Sequence, residues 1–259
     1  MKLLSILLLA FAAPCAAQEI TVAAAADLRP AFEEIIASFQ QLHPGTAVKV
    51  TYGSSGNFFQ QIQNGAPFDL FLSANEDYPK KLESAGLTVP GSYYQYVRGK
   101  IVLLVSASSK IDINQGLKFL LDESVKKIAI ADPSHAPYGQ AAVAALKTEK
   151  IYDQVSAKLV TGENISQAAS FVLSGAADVG IVSLSLALAP STRPQVRYWE
   201  IPSSDYPRIE QACVIIKASK NQKLAVEFQS YFRSKEVSSV LERYGFEIPA
   251  AGKTGPPAN

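Results

Sequence analysis

The apolar residues of this chain repeatedly change their spacing, and this alternation constrains the fold more than any other feature of the sequence. Ile20–Ala24 is a short apolar run of the kind that forms a β-strand. The apolar residues from Leu28 to Leu42 then fall three and four positions apart, as they do in a helix. The same order of strand and helix recurs as far as Tyr244. Such alternation is typical of mostly parallel sheets with helices on both faces, so we predict an α/β fold.

The strands and helices fall into two series, which predicts two lobes between which the chain crosses twice. Residues 18–98 and 205–250 are assigned to the first lobe, and residues 99–204 to the second. Each lobe is predicted to be a mostly parallel sheet flanked by helices. A chain of 259 residues is long enough to bury two medium-sized cores. Residues 251–259, which are rich in glycine and proline, are predicted to be a disordered tail.

Residues 1–17 have the features of a secretory signal peptide. Lys2 supplies a positive charge, Leu3–Ala13 is an apolar run, and Pro14–Ala17 supplies small residues ahead of a cleavage site. The apolar run is shorter than the roughly 20 residues of a spanning helix. We predict export with cleavage after Ala17, and we do not expect a lipid anchor at Cys15, because the residues before it are a poor lead-in for that processing.

Charge and side-chain chemistry argue against several classes of function. Without Lys2 the chain carries 23 basic and 23 acidic residues, so it has no broad basic face for nucleic acid. Cys213 would be alone after cleavage, and we interpret it as a small buried thiol. His43 and His135 lie in different turns without carboxylates at metal-ligand spacing, so we predict no metal cation and no cofactor. No nucleophile elbow is present, so we do not expect an enzyme.

Four turns that lead from a strand into a helix are candidate ligand sites. In α/β sheets ligands bind beyond the carboxyl ends of strands, where the free N–H groups of helix N-termini attract anions. Ser55 offers both a hydroxyl and an amide at one helix start, and Asp27 is well placed to cap another. Two turns belong to each predicted lobe: Ala23–Asp27, Tyr52–Gly56, Asp132–Gly139 and Thr161–Ile165.

Together these segments resemble the periplasmic molybdate-binding proteins of ABC transporters, which have the two-lobed type II solute-binding fold. The resemblance spans the whole mature chain and rests on six motifs: Ile20–Leu28, Gly53–Ser55, Gly65–Ala74, Ala131–Gly139, Gly180–Val182 and Arg243–Phe246. It implies a periplasmic, monomeric binding protein that captures molybdate or tungstate, two anions of nearly the same size, in the cleft between its lobes. It further implies delivery of the anion to a membrane permease, with no chemistry on the ligand.

The resemblance also implies which residues hold the oxyanion, by hydrogen bonds without counter-charges. Ser55 matches the family's serine and is expected to donate through its hydroxyl and its amide. Tyr138 and Ile165 match positions that donate through backbone N–H groups. Such a donor-only site suits a dianion in a dry cleft, where each hydrogen bond is strengthened.

Two candidate residues depart from the family pattern. Asp27 stands where many members have serine, and a carboxylate facing a dianion at about 4 Å would oppose binding by about 4 kcal/mol at an effective dielectric near 20. We therefore expect Asp27 to cap the first helix and to offer only its backbone N–H. The alternative is that Asp27 accepts a proton from a protonated anion such as hydrogen phosphate. Ser183 stands where some members have tyrosine; because serine is shorter, we expect it to reach the anion only through water or not at all.

Three alternatives to a molybdate carrier stay open on the sequence. One is a binding protein for another oxyanion, such as phosphate or sulfate. A hydrolase that uses the same cleft would need a nucleophile and a base close together. A sensory ligand-binding domain would need a DNA-binding or membrane segment.

Overall fold

The computed structural model describes residues 18–249. The predicted signal peptide and disordered tail lie outside the described residues. Within residues 18–249, no helix is both long and apolar enough to span a bilayer.

The first sheet gathers strands from both ends of the described chain. Its order is β2-β1-β3-β10-β4, in which β10 runs antiparallel to both of its neighbours and the other strands share one direction. The strands are β1 (Gln18–Ala25), β2 (Thr46–Gly53), β3 (Leu70–Ser73), β4 (Tyr94–Gly99) and β10 (Ile209–Ile215).

The second sheet is built entirely from the middle of the chain. Its order is β7-β6-β8-β5-β9, and here β5 is the strand that runs against its neighbours. The strands are β5 (Ile101–Ser106), β6 (Ile128–Ala131), β7 (Leu159–Gly162), β8 (Val179–Ser183) and β9 (Val196–Glu200). The chain therefore leaves the first sheet at Gly99 and returns to it at Ile209.

Helices flank both sheets. The α-helices are α1 (Arg29–Leu42), α2 (Ser55–Gln63), α3 (Asp77–Ser84), α4 (Pro137–Thr148), α5 (Tyr152–Val155), α6 (Ile165–Leu173), α7 (Leu184–Leu188), α8 (Gln222–Phe232) and α9 (Lys235–Arg243). Short 3₁₀ helices occupy Ala26–Leu28, Ile113–Leu121, Ser156–Lys158 and Arg193–Gln195. The α1 helix shows why the periodic segments fold in this way. It begins next to Pro30, which favours a first turn, and it buries Phe32, Ile35 and Phe39 on one face.

The structure confirms the predicted fold class and corrects some local assignments. The apolar spacing near Leu117–Leu121 predicts an α-helix, but the structure has a 3₁₀ helix over Ile113–Leu121 with a kink at Gly116, which has a φ of 67°. A Cβ at Gly116 would also lie 3.1 Å from the Trp199 ring, so the tryptophan packs where only glycine leaves room. The strand β4 was not predicted, because its sequence mixes tyrosine, glutamine and arginine without a clear apolar period.

The registers of the parallel strands bring the candidate turns together in pairs. Ala25 at the end of β1 lies opposite Gly53 at the end of β2. In the second sheet, Ala131 at the end of β6 lies opposite Gly162 at the end of β7. The turns that follow each pair therefore leave their sheet side by side. The core of the second lobe continues across the cleft and includes Ala26 of the first.

Candidate functional site

All four candidate turns meet at one small cavity between the lobes. The free volume between them is only about 10 Å³, room for about one water molecule. The first lobe contributes Ala25, Ala26, Asp27, Gly53, Ser54, Ser55 and Ala74, and the second contributes Ala136, Pro137, Tyr138 and Ile165. Four of the five predicted site residues therefore line this cavity, and Ser183 is not among the lining residues.

A larger cavity of about 560 Å³ lies elsewhere on the first lobe, around Phe68 and Leu87. Its lining residues come only from the first lobe, and none belongs to the four turns. We place the candidate site in the smaller cavity, because two lobes and several helix starts converge there.

Ser55 is the first residue of α2, and it is fully buried. Its Oγ accepts a hydrogen bond from the backbone N–H of Ala74 at 2.9 Å. Because that bond uses a lone pair of Oγ, the hydroxyl proton is left to donate into the cavity. The amide of Ser55 also has no acceptor within its own helix, as at any helix start. This geometry can supply the two donors that the sequence assigned to Ser55.

Ile165 lies at the first position of α6, and its neighbour Asn164 is the N-cap. The Asn164 side chain accepts hydrogen bonds from the N–H groups of Ser166 (3.0 Å) and Gln167 (3.1 Å). The cap therefore satisfies the second and third amides of the helix and leaves the first, that of Ile165, for a ligand. An apolar side chain at this position is compatible with donation from the backbone.

Tyr138 lies in the first turn of α4, so its amide is one of those without an intrahelical acceptor. Its side chain has a second role that the sequence analysis did not foresee. The hydroxyl crosses the cleft and donates to Asp27 Oδ2 at 2.8 Å. Burial and the nearby Asp27 carboxylate hold the pKa of Tyr138 well above its usual value, so this hydroxyl stays protonated. Gly99 makes the crossing possible, since a Cβ there would lie 2.1 Å from the tyrosine oxygen.

Asp27 does not cap a helix, contrary to the favoured expectation. It lies inside the 3₁₀ turn Ala26–Leu28, and neither that turn nor α1 has a side-chain cap. Its Oδ2 instead accepts hydrogen bonds from Tyr138 and from Gln211 Nε2, the latter at 2.7 Å. Its Oδ1 is buried and has no hydrogen-bond partner among the described residues. The side chain is fully buried, and burial raises the pKa of Asp27 to about 6 against the opposing effects of both hydrogen bonds and of its own backbone N–H.

Ser183 ends β8 and is fully buried. Its Oγ lies 3.1 Å from the Oγ of Ser185, which in turn donates to the main-chain carbonyl of Asp27 at 2.8 Å. These two serines connect the second lobe to the turn that carries Asp27. Contact between Ser183 and a ligand through water stays a prediction.

Gln211 is a site residue that the sequence analysis missed. It lies in β10 beside a bulge, is fully buried, and donates to Asp27 while its Oε1 accepts from the Tyr96 hydroxyl at 2.8 Å. The signal was present in the sequence, because a glutamine that precedes the apolar run Ala212–Ile216 must find polar partners if the strand is buried.

A direct contact between the lobes at the start of α2 was also missed. The N–H of Gly56 donates to the carbonyl oxygen of His135 at 2.9 Å, and the Ser54 hydroxyl lies 2.7 Å from His135 Nδ1. His135 therefore acts as a cross-cleft partner. Only two separate turns can be read from the sequence, since their meeting depends on how the lobes close.

The cavity as a whole is suited to a small anion. Its walls present a serine hydroxyl and the starts of three helices, α2, α4 and α6, whose dipoles favour negative charge. No arginine or lysine lines it. Hydrogen bonds to an anion in such a buried site are charge-assisted and strong. The described residues contain no cluster of histidine, cysteine and carboxylate side chains that could hold a metal ion.

A two-lobed α/β fold whose helix starts converge on a small cavity at the cleft is typical of extracytoplasmic binding proteins, and comparison with known sequences agrees. Residues 20–247 match the profile of the bacterial extracellular solute-binding proteins. The chain belongs to this family, and the resemblance on which the sequence analysis relied is confirmed.

Individual relatives cover almost the whole chain. A molybdate-binding protein of Rhodobacter capsulatus is 35% identical over 240 residues, which cover 93% of this chain and 92% of that protein. The solved periplasmic molybdate-binding protein of Azotobacter vinelandii superposes with a TM-score of 0.84 at 33% identity, and covers 89% of this chain and 100% of its own. The sulfate-binding protein SubI of Mycobacterium tuberculosis has a TM-score of 0.76 at 17% identity over 89% of this chain and 87% of its own, a likeness of fold alone.

Proposed function

We propose that this chain is a periplasmic binding protein that captures molybdate or tungstate between its lobes and delivers it to the permease of an ABC transporter. The observation that carries the proposal is the convergence of the starts of α2, α4 and α6 and of the Ser55 hydroxyl on one small cavity between the lobes. Its donors come from both lobes, so an anion bound to all of them favours the closed form over the open one.

The relatives supply the identity of the anion. Molybdate is the ligand named for the relatives from Rhodobacter and Azotobacter, which align over about nine-tenths of this chain. Tungstate has the same shape, charge and nearly the same size, so hydrogen-bond donors placed for one anion serve the other. The proposal includes action as a monomer, with no chemistry on the anion and no cofactor.

One observation favours hydrogen phosphate as a second candidate. The buried Oδ1 of Asp27 can accept a proton, and hydrogen phosphate carries one, whereas molybdate near neutral pH does not. Calorimetric titration of the ligand-free protein with molybdate, tungstate, sulfate and phosphate separates the candidates. We expect molybdate and tungstate to bind with similar affinity and well above the other two. Preference for phosphate would contradict the proposal.

We expect Ser55→Ala to weaken molybdate binding at least about tenfold, because it removes one charge-assisted hydrogen bond, worth about 1.5 to 3 kcal/mol. The fold should survive, at a cost of about 1 to 3 kcal/mol, because the buried Ala74 N–H loses its acceptor. Calorimetry gives the affinity and thermal unfolding the stability. Ser84→Ala is a suitable control, because that hydroxyl lies on exposed α3 and bonds only to the Lys80 carbonyl. Unchanged affinity in Ser55→Ala would move the binding site away from this cavity.

A further inference from the structure

The two oxygens of the Asp27 carboxyl group have very different surroundings. Oδ2 accepts hydrogen bonds from Tyr138 on α4 and from Gln211 on β10. Oδ1 is buried and has no partner among residues 18–249, although Asp27 itself lines the cavity. A buried carboxylate oxygen without any donor is costly, so this oxygen calls for a partner that arrives with the ligand.

No positive charge compensates Asp27. Among the described residues it takes part in no ion pair. The groups that face it are the hydroxyl of Tyr138, the amide of Gln211 and its own backbone N–H, and behind the Gln211 amide lies the Tyr96 hydroxyl. The nearest arginine along the chain, Arg29, has its guanidinium 4.3 Å above the Tyr52 ring.

Two other titratable side chains lie close to this network. The Tyr206 hydroxyl accepts a hydrogen bond from the Ile101 amide, and burial raises the pKa of Tyr206, so this hydroxyl stays protonated. His135 is hydrogen bonded to Ser54 and lies 3.6 Å from Asp132. His135 must therefore be separated from Asp27 in any test that depends on pH.

A dianion beside an ionised Asp27 would meet a second negative charge in a buried space. Oδ2 already accepts two hydrogen bonds, whereas Oδ1 has no partner among the described residues. A proton on Oδ1 would remove the negative charge of Asp27 and give its side chain a hydrogen-bond donor for the anion. We propose that Asp27 takes up one proton from solvent when an oxyanion binds and donates it, through Oδ1–H, in a hydrogen bond to the anion. The inference rests on the function proposed above. The proton comes from water, the carboxyl becomes neutral, and the anion keeps its full charge.

The electrostatics of the site agree with this assignment. Burial already raises the pKa of Asp27 to about 6 in the closed cleft, and a neighbouring dianion raises it further, because like charges disfavour ionisation. Near pH 7 the ligand-free carboxyl is therefore mostly ionised and the liganded carboxyl mostly neutral. Since the complex holds more protons than the free protein, affinity falls as the pH rises above about 6, by up to about tenfold per pH unit.

The decisive measurement is calorimetric titration of the full mature protein with sodium molybdate between pH 6.5 and 8.5. Each pH is measured in two buffers of different ionisation enthalpy, so that the difference in heat reports the number of protons taken up. We expect an uptake approaching one proton near pH 8 and an affinity about tenfold lower at pH 8 than at pH 7.

The Asp27→Asn variant tests the assignment to this residue. Its Oδ1 can accept the hydrogen bonds from Tyr138 and Gln211, while its amide N–H₂ takes the place of Oδ1–H. We expect molybdate affinity at pH 8.5 at or above that of the wild type, no dependence on pH, and no proton uptake. In His135→Gln, which keeps a hydrogen-bonding side chain near Ser54, the pH dependence should match the wild type.

Several outcomes would overturn the inference. The first is that the molybdate affinity of the wild type does not change with pH. The second is that the pH dependence of affinity survives in Asp27→Asn, and the third is that it disappears in His135→Gln. Tighter binding of phosphate, with loss of binding in Asp27→Asn, would show that the anion brings the proton. If none of the four oxyanions binds the wild type at any pH, the proposed function fails as well, whereas tight but pH-independent molybdate binding removes only the role of Asp27.

Discussion

Gly56→Ala is expected to weaken molybdate binding by about 100-fold while leaving the protein folded. A Cβ at this position would lie 2.6 Å from the carbonyl oxygen of His135 and 3.0 Å from its Cα. Both are backbone atoms of the opposite lobe, so neither can move aside without displacing the turn that leads into α4. The substitution therefore acts on the approach of the lobes rather than on either lobe alone.

The magnitude follows from the donors that would be lost. With the lobes held apart, an anion keeps Ser55 on the first lobe but not the helix-start amides of Tyr138 and Ile165 on the second. Two charge-assisted hydrogen bonds at about 1.5 kcal/mol each amount to about 3 kcal/mol, or about two orders of magnitude in Kd. Stability should stay the same or rise, because alanine favours a helix over glycine by about 1 kcal/mol and Gly56 belongs to α2.

The experiment combines calorimetry with small-angle scattering. Wild-type protein should become more compact on addition of molybdate, whereas Gly56→Ala should change little. Gln60→Ala is the matched control, since it lies on the exposed side of the same helix. Wild-type affinity in Gly56→Ala would mean that closure does not require this contact, and the two lobes would then have to meet in another way.

The fold was largely predictable, because it depends on spacings that the sequence displays directly. Apolar runs followed by helical periods locate most strands and helices, and their alternation fixes the α/β class. The exceptions have local causes. The strand β4 lacks a clear apolar period, and a helical pattern at Leu117–Leu121 is interrupted by the kink that Gly116 allows.

The site was predictable only in part. Ser55 follows from its turn position, since the backbone at the carboxyl end of a strand has a set direction, whereas the role of Ile165 is implied by the resemblance to the family. The partners of Asp27 follow from neither, because Tyr138 and Gln211 lie 111 and 184 residues away along the chain. Nothing local distinguishes a carboxylate that caps a helix from one that crosses a cleft. That choice depends on where the second lobe closes.

Gly139→Ala is expected to have the largest effect on stability, because α4 begins in direct contact with the end of β6. A Cβ on Gly139 would lie 2.1 Å from the carbonyl oxygen of Ala131 and 2.8 Å from its carbonyl carbon. These are backbone atoms of a central strand, so the helix must move away instead. Overpacking of this kind costs about 3 kcal/mol or more when the neighbours cannot adapt.

The same displacement should also weaken binding, since Tyr138 precedes Gly139 and carries both a candidate donor and the cross-cleft hydroxyl. Chemical denaturation of the ligand-free protein measures the loss of stability, and calorimetry with molybdate measures the loss of affinity. Gly175→Ala is the control in the same lobe: its Cβ would meet no atom within 4 Å, and its cost should be only the roughly 1 to 2 kcal/mol of a positive φ. Equal destabilisation by the two substitutions would show that α4 can shift freely on β6. A helix that shifts freely could not hold the Tyr138 amide and hydroxyl in fixed positions at the cleft.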